Sequence, residues 1–241
     1  MMKAFLLAAG KGTRLRPYTS VVPKCLIPIH GKPLLEIWIE LLEKCGVSEI
    51  LINTHHHADQ VERFLKRISS KVKPEIIPLY EKKLLGSGGT IWTNREAVID
   101  EKNFLIIYAD NLTTLDLKRM IRQHEDNSAC GGILTMGLIH APVPHECGIV
   151  TLDNTQKIVS FIEKPDNPAS DLANGGIYVA NPEIFSFFTE SFIRQPDSVC
   201  DLGFHIFPKL TGKMYGYEIK EYLRDIGTIE SYDAAIREWR V

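Results

Sequence analysis

A compact apolar run, KAFLLAA at residues 3–9, empties into Gly10-Lys11-Gly12. Around it the first 24 positions hold Lys3, Lys11, Arg14, Arg16 and Lys24 and no acidic residue. Such a run stopped by glycines predicts a buried strand leading into a tight loop. The cations beside it need a partner, because the chain as a whole balances 28 Lys and Arg against 30 Asp and Glu, a formal charge of -2. Gly10 and Gly12 let backbone turn and approach a ligand, while free N–H groups and long cations face phosphate oxygens. A solvated surface turn is the plainer reading of the glycines alone; Arg14 and Lys24 on the same loop favour phosphate. The Walker A pattern is absent, and Leu15 stands where a dinucleotide fingerprint has its third glycine. No acidic residue falls about 20 positions on to hold a ribose, Glu36 lying a little further. The segment therefore predicts a triphosphate held in another arrangement.

Downstream, Leu34, Leu35, Trp38, Leu41 and Leu42 repeat at helical spacing between Pro33 and Gly46, and EILIN at 49–53 reads as a second strand. Val61, Phe64, Leu65 and Ile68 predict a further amphipathic helix, and residues 75–79 a third strand interrupted by Pro78. A helix from Thr90, a strand FLIIYA at 104–109 and a helix at 116–124 extend the alternation. Strands so uniformly apolar are buried on both faces, which implies parallel pairing under helices. After Ala129 the pattern changes to short strands at 131–138, 148–152, 158–162 and 176–180, then short helices at 182–188 and 203–210 and a closing helix at 226–239. The expected fold class is α/β, a Rossmann-like, mostly parallel sheet flanked by helices, with a small mixed region. Its 241 residues are read as one domain, 1–128 mainly the nucleotide half and 129–241 mainly the sugar-phosphate half.

The near-neutral charge gives no electrostatic drive toward nucleic acid or anionic membrane, and neither is expected as a partner. No stretch approaches the roughly 18 apolar residues that span a bilayer, and MMKAFLLAAG is too short for a secretion signal. The expected location is the cytoplasm. Cys25, Cys45, Cys130, Cys147 and Cys200 show no C-x-x-C spacing and read as reduced thiols. A homo-oligomer is left open.

Later segments add chemistry. A second glycine cluster, LGSGGT at 85–90, precedes the expected helix and reads equally as a nucleotide contact or as a closely packed helix entrance. Asp110 ends the most apolar strand and Asp225 precedes the last helix, where it is either a cap or a second carboxylate converging on the first. Paired across magnesium, the two would hold a hard cation beside phosphates. Lys164 in FIEKP can meet a phosphate as a point charge or be an exposed turn residue, and Asn174 in NGGIYV can donate to and accept from sugar hydroxyls or belong to a plain turn before a buried strand.

Taken together, LAAGKGTRLRPYTSVVPK, LGSGGT, YAD, CGIV, FIEKP, NGGIYV and RDIGT closely resemble, in order and over essentially the whole chain, the sugar-1-phosphate nucleotidyltransferase family. The resemblance implies a magnesium-dependent exchange of pyrophosphate for sugar phosphate. It places Leu7, Ala9, Gly10, Gly12 and Thr13 at the nucleotide, with Arg14 and Lys24 on its phosphates. Asp110 and Asp225 resemble the magnesium ligands and Lys164 the grip on the sugar phosphate. Gly148, Glu163, Asn174 and Gly175 fall where the family contacts sugar, and Glu81 and Gly86 where it contacts base. Ala9, Ala109 and LGSGG depart from the commoner Gly, Gly and LGTAG. The chain ends soon after its last helix, so no appended β-helix or acetyltransferase domain is expected.

Glu81 is either a solvated surface acid or a base contact, and as a contact it leans the base toward guanine, from whose N1–H and amine a carboxylate can accept together. That favours a mannose or manno-heptose guanylyltransferase over uridylyl-, thymidylyl- or cytidylyltransferases. A catalytically silent nucleotide-sugar-binding regulator is the rival of another class, and an oxidoreductase a poorer one. His55-His56-His57 reads as a loop or local hydrogen-bonding element ahead of substrate contact, since adjacent side chains diverge.

Overall fold

The computed structural model describes residues 2–188 and 199–240. The chain opens with β1 (Met2–Leu7), the short strands β2 (Pro28–Ile29) and β3 (Lys32–Pro33), α1 (Leu34–Cys45), β4 (Val47–Thr54), α2 (Ala58–Ile68) and β5 (Glu75–Tyr80). It continues through α3 (Gly86–Thr93), β6 (Phe104–Tyr108), β7 (Asn111–Thr113), α4 (Leu117–Ala129) and β8 (Leu134–His140). Then follow β9 (Gly148–Leu152), β10 (Lys157–Glu163), β11 (Leu172–Ala180), β12 (Met214–Glu218), β13 (Leu223–Asp225) and, as α5, Ile229–Glu238. Two compact units form: Met1–Leu84 with Ile107–Thr114 and Glu221–Val241, and Leu85–Ile106 with Leu115–Lys220. The fold is an α/β Rossmann-like core with a mixed β-sheet region.

In the first unit β1, β4 and β5 run parallel in the order β5-β4-β1, Leu7 opposite Asn53 and Thr54 opposite Tyr80. Ile50 to Thr54 are buried without a break, as a strand covered on both faces requires. Leu34, Leu35, Trp38, Ile39 and Leu42 form the buried stripe of α1, each contributing about 1.5–3 kcal/mol on burial. Gly46, at φ 90, closes that helix with an N–H shared by the Glu43 and Leu42 carbonyls. Pro78 does not interrupt β5. It lies on the edge strand of the β5-β4-β1 order, where a missing donor is tolerated.

In the second unit the strand order is β11-β8-β12-β10-β9, with β8 and β12 parallel and β11–β8, β12–β10 and β10–β9 antiparallel. Several expected boundaries move. The α3 helix begins at Gly86 rather than Thr90, and the strand expected at 131–138 starts at Leu134, after a turn with Gly131 at φ 81. The one expected at 176–180 begins at Leu172, so Asn174 and Gly175 lie inside β11, where the register shifts between Asn174 and Tyr178. Such a bulge re-aims a side chain without ending the strand. The closing helix starts at Ile229, and its cap is Thr228, whose hydroxyl accepts from the Ser231 N–H. Asp225 is thereby released from a capping role. Among the described residues no helix is long and apolar enough to cross a membrane, and the five cysteines are free.

His124 of α4 is fully buried, with Nδ1 3.0 Å from Thr135 Oγ1 and Nε2 3.2 Å from Asn103 Oδ1. Burial pushes its pKa down to about 4. A depressed value means that the unfolded chain takes up this proton first. The associated stability is complete above pH 6.5 and lost as pH falls through about 4, amounting to about 3 kcal/mol. Urea titrations at pH 7, 5 and 4 should show a steeper loss for the wild type than for His124→Gln; equal slopes would refute this origin.

Candidate active site

The glycine loop that follows β1 belongs wholly to the first unit. Gly12 adopts φ 60, ψ 33, and a methyl there would lie 2.8 Å from Thr19 Cγ2 and 3.1 Å from Lys24 Cβ. Both backbone angle and space require glycine. Gly10 has a different part. Among the described residues, its chain neighbours aside, no atom lies within 4 Å of where its Cβ would be, so it leaves open space and does not make the turn. Thr19, buried, donates its hydroxyl to the Gly12 carbonyl at 2.7 Å and folds the loop back on itself. Leu15, fully buried, anchors the turn Thr13–Leu15 and leaves Arg14 exposed beside it.

Three charged residues predicted from distant segments meet beneath this loop. Lys24 Nζ lies 2.6 Å from Asp110 Oδ2 and 3.6 Å from Asp225 Oδ1. The two carboxylates are carried by neighbouring backbone: Asp225 pairs with Asn111 across β13 and β7, and the Ile226 N–H donates to the Asp110 carbonyl at 2.8 Å. Arg14 completes the group. A methyl on Gly227 would lie 3.1 Å from Arg14 Nη2 and 2.6 Å from Asp225 Oδ2, so a bare glycine keeps these side chains in register.

Electrostatics follow from the geometry. Burial opposes the charge on Lys24, but Asp110 and Asp225 outweigh it and hold the ammonium above its ordinary pKa. Partial desolvation, followed by the adjacent Asp110 carboxylate, raises the Asp225 carboxyl against the pull of Lys24 and Arg14. Two oxygen-donor carboxylates that repel one another and gather a cation suit a hard divalent ion. Among the described residues no group of three or more His, Cys, Asp or Glu side chains that could hold a metal occurs. A pair is compatible with magnesium, which is commonly held by one or two carboxylates together with substrate phosphates.

Glu81 also belongs to the first unit. It is 6% exposed, which excludes a solvated surface acid, and Oε1 accepts from Asn53 Nδ2 at 2.9 Å. The same Asn53 accepts through Oδ1 from the Ala8 and Ala9 N–H groups at 2.6 and 3.2 Å. Leu7 is the last residue of β1, and Ala9 follows it, buried. Asn53 escaped the reading of the sequence because an Asn at the end of an apolar strand carries no spacing motif. Its only signal was the polar break in EILIN. His55 is a local hydrogen-bonding element, its Nδ1 donating to the Glu81 carbonyl at 2.8 Å, while His57 at φ 52 leads into α2.

The second unit brings together Gly148, Glu163 and Lys164. Gly148 pairs with Glu163 across β9 and β10, and a methyl on it would lie 2.6 Å from Glu163 Oε2. Lys164 has φ 49, and its N–H donates to the Cys147 carbonyl at 3.0 Å, which turns the chain out of β10. Asn174 Oδ1 accepts from the Gly176 N–H at 2.9 Å; Gly175 packs over the Gly137 carbonyl, 3.0 Å from where its Cβ would be. Gly86, at φ 79, faces the Cys200 carbonyl, 2.4 Å from where its Cβ would be. The helix entrance is therefore closely packed, and the Gly89 N–H donates to that carbonyl at 3.0 Å.

Asp201 is a further polar residue here that sequence spacing did not expose. It accepts from Ser87 Oγ at 2.9 Å and caps the following turn through Phe204 N–H. A methyl on Gly203 would lie 2.4 Å from Glu163 Oε2 and 3.2 Å from Asp201 Oδ1, so both carboxylates border one glycine. Burial, then the negative charge of Asp201, raises the Glu163 carboxyl above its usual range.

Comparison with known proteins gives the family. The profile of the Nucleotidyl transferase family matches residues 3–240. A UTP–glucose-1-phosphate uridylyltransferase of Synechocystis sp. is 33% identical over 254 residues, covering 98% of this chain and 63% of the relative. Mannose-1-phosphate guanylyltransferase 1 of Arabidopsis thaliana is 28% identical over 241 residues, covering 98% of this chain and 64% of its own. The chain thus spans somewhat under two thirds of the length of these relatives. The structure of HddC from Yersinia pseudotuberculosis complexed with GMP-PN superposes with a TM-score of 0.78 at 26% identity, over 100% of both chains.

Proposed function

The chain belongs to the sugar-1-phosphate nucleotidyltransferase family, and from that premise we propose that it joins a nucleoside triphosphate to a sugar 1-phosphate, releasing pyrophosphate and forming a nucleoside-diphosphate sugar. The observation that carries the proposal is the convergence of Lys24, Asp110 and Asp225 beneath the Gly12 loop, with Arg14 at its rim. We assign the nucleotide mainly to residues 1–128 and the sugar phosphate mainly to 129–241.

The chemistry needs no protein base. A phosphate monoester has its second pKa near 6, so at neutral pH the acceptor oxygen is already largely anionic. That oxygen bonds to the α-phosphorus as the bond to the bridging β-oxygen breaks, and pyrophosphate departs with the electron pair. The barrier is mutual repulsion and developing charge. Backbone at Leu7, Ala9, Gly10, Gly12 and Thr13 cradles the nucleotide, with Gly10 leaving open space at the loop. Arg14 and Lys24 neutralise triphosphate oxygens; Lys164 holds the sugar phosphate as a point charge. Asp110 and Asp225 would hold a magnesium ion, whose charge offsets that of the phosphates when it is bound. Glu163, Gly148, Asn174 and Gly175 contact the sugar, and Gly86 and Glu81 the base.

Guanine is the favoured base, because a carboxylate at Glu81 can accept from both N1–H and the exocyclic amine. The guanylyltransferase relative and the neighbour solved with GMP-PN support that reading. A uridylyl reading is favoured by the 33% identical Synechocystis relative. Pyrophosphate release with GTP, UTP, dTTP and CTP against mannose, manno-heptose and glucose 1-phosphates decides between them. GTP with a manno-configured acceptor should lead by about tenfold or more in kcat/KM, the value of one extra hydrogen bond to a charged group. Absence of any preference for GTP would overturn the guanylyl assignment.

A further inference from the structure

We infer that Asn53 is a specificity-positioning residue: its side-chain amide dictates which hydrogen-bonding character Glu81 offers to the base. The inference rests on the proposal that Glu81 meets the base. The two residues are 5% and 6% exposed. Asn53 lies opposite Leu7 in the β4–β1 register, which carries its side chain to the point where β1 gives way to the phosphate loop.

The orientation of the amide follows from its partners. Ala8 and Ala9 both present backbone N–H groups to one end of it, at 2.6 and 3.2 Å, and only an oxygen can accept from both. The other end is therefore the NH2 group, which donates to Glu81 Oε1 at 2.9 Å. Glu81 is held along its backbone as well, its N–H donating to the Thr54 carbonyl at 2.9 Å and its carbonyl accepting from His55 Nδ1 at 2.8 Å. Polarity is thus relayed from loop backbone through Asn53 to position 81. Whatever residue stands there must turn an acceptor toward Asn53.

A glutamine at position 81 would give Asn53 its oxygen and turn its NH2 outward, reversing what the base meets. An aspartate at position 53 still accepts from both loop N–H groups but offers position 81 an acceptor. With both substitutions present, that aspartate takes the glutamine NH2 and the glutamine oxygen faces outward again, restoring an acceptor for the base. A merely structural role for Asn53 predicts no such restoration.

The test is steady-state pyrophosphate release by the full chain with four nucleoside triphosphates and the sugar 1-phosphate the wild type uses best. Inhibition by inorganic tripolyphosphate reports on the loop without a base. Glu81→Gln should shift the kcat/KM ratio between the preferred and the next nucleotide by about tenfold or more, one charged hydrogen bond. Asn53→Asp should erode that ratio by about tenfold while tripolyphosphate inhibition stays within about threefold. The double variant should move the ratio back toward wild type by about threefold or more, a neutral acceptor standing in for the charged one, closing a cycle with strong coupling. An unchanged ratio in Glu81→Gln overturns the base-contact reading and this inference with it. A shift in Glu81→Gln without restoration in the double variant, or an unaffected ratio in Asn53→Asp, overturns the role of Asn53 alone. Should the double variant not fold, Asn53→Asp decides by itself.

Discussion

Asp110→Asn is expected to lower kcat at saturating substrates by about three orders of magnitude, the scale on which removing a charge-stabilising group from a phosphoryl-transfer centre acts. The substitution keeps shape and removes charge. Lys24 Nζ, 2.6 Å from Asp110 Oδ2, loses its closest anion and keeps Asp225 at 3.6 Å. Folding is little affected, because Asp110 and Asp225 repel one another and neutralising one relieves the other. Asp225→Asn should follow the same course, and either variant should require more magnesium for half-maximal rate, since on the proposed reading a hard cation loses one of its two carboxylates. Rates over a magnesium series, with thermal denaturation as the control for folding, measure both effects. Near-normal turnover by both variants at limiting magnesium removes these carboxylates from the reaction. A proportional fall in turnover and melting temperature would make them structural instead.

Much of this centre could be read locally because its signals are local. The concentrated cations of the first 24 residues, the apolar run ending at Gly10 and the β-α-β-α-β order need only nearest neighbours along the chain, and β9 appears at the expected 148–152. What escaped depends on contacts far apart in sequence. The glycines at 86, 88 and 89 have poor helix propensity, yet α3 begins at Gly86 because the Cys200 backbone packs against that turn and accepts from Gly89. Asp201 meets Ser87 across 114 positions, and Asn53 meets Glu81 across 28. In neither case does residue type or spacing announce a partner. The two aspartates occupied an intermediate position. Their types were suggestive, but an aspartate before a helix is frequently a cap; only the structure, with Thr228 in that role, shows that Asp225 is not one.

Gly203→Ala is expected to raise KM for the sugar 1-phosphate by about a hundredfold, roughly the binding free energy of two hydrogen bonds to a charged group, and to leave KM for the nucleotide near wild type. The added methyl would lie 2.4 Å from Glu163 Oε2 and 3.2 Å from Asp201 Oδ1, and the first of these is closer than any carbon–oxygen contact sustains. The nearest atoms are at the end of the Glu163 side chain and not backbone, so the carboxylate swings aside and the fold persists. Gly148 limits one retreat, since it borders the same oxygen from the neighbouring strand. Glu163 then leaves the position in which, on the proposed reading, it accepts from a sugar hydroxyl. Its neighbour Lys164, held at φ 49 by the bond to the Cys147 carbonyl, keeps its place. The expected signature is loss of discrimination among sugars with binding of inorganic phosphate retained, because the point charge survives and the hydroxyl acceptor does not. Glu163→Gln separates shape from charge: it fills the original space and should cost about tenfold or less, one charged hydrogen bond becoming a neutral one. Equal sugar KM values for Gly203→Ala and wild type would show that Glu163 does not read the sugar. An equal rise in the KM for both substrates would show that the methyl acts through the fold and not through that carboxylate.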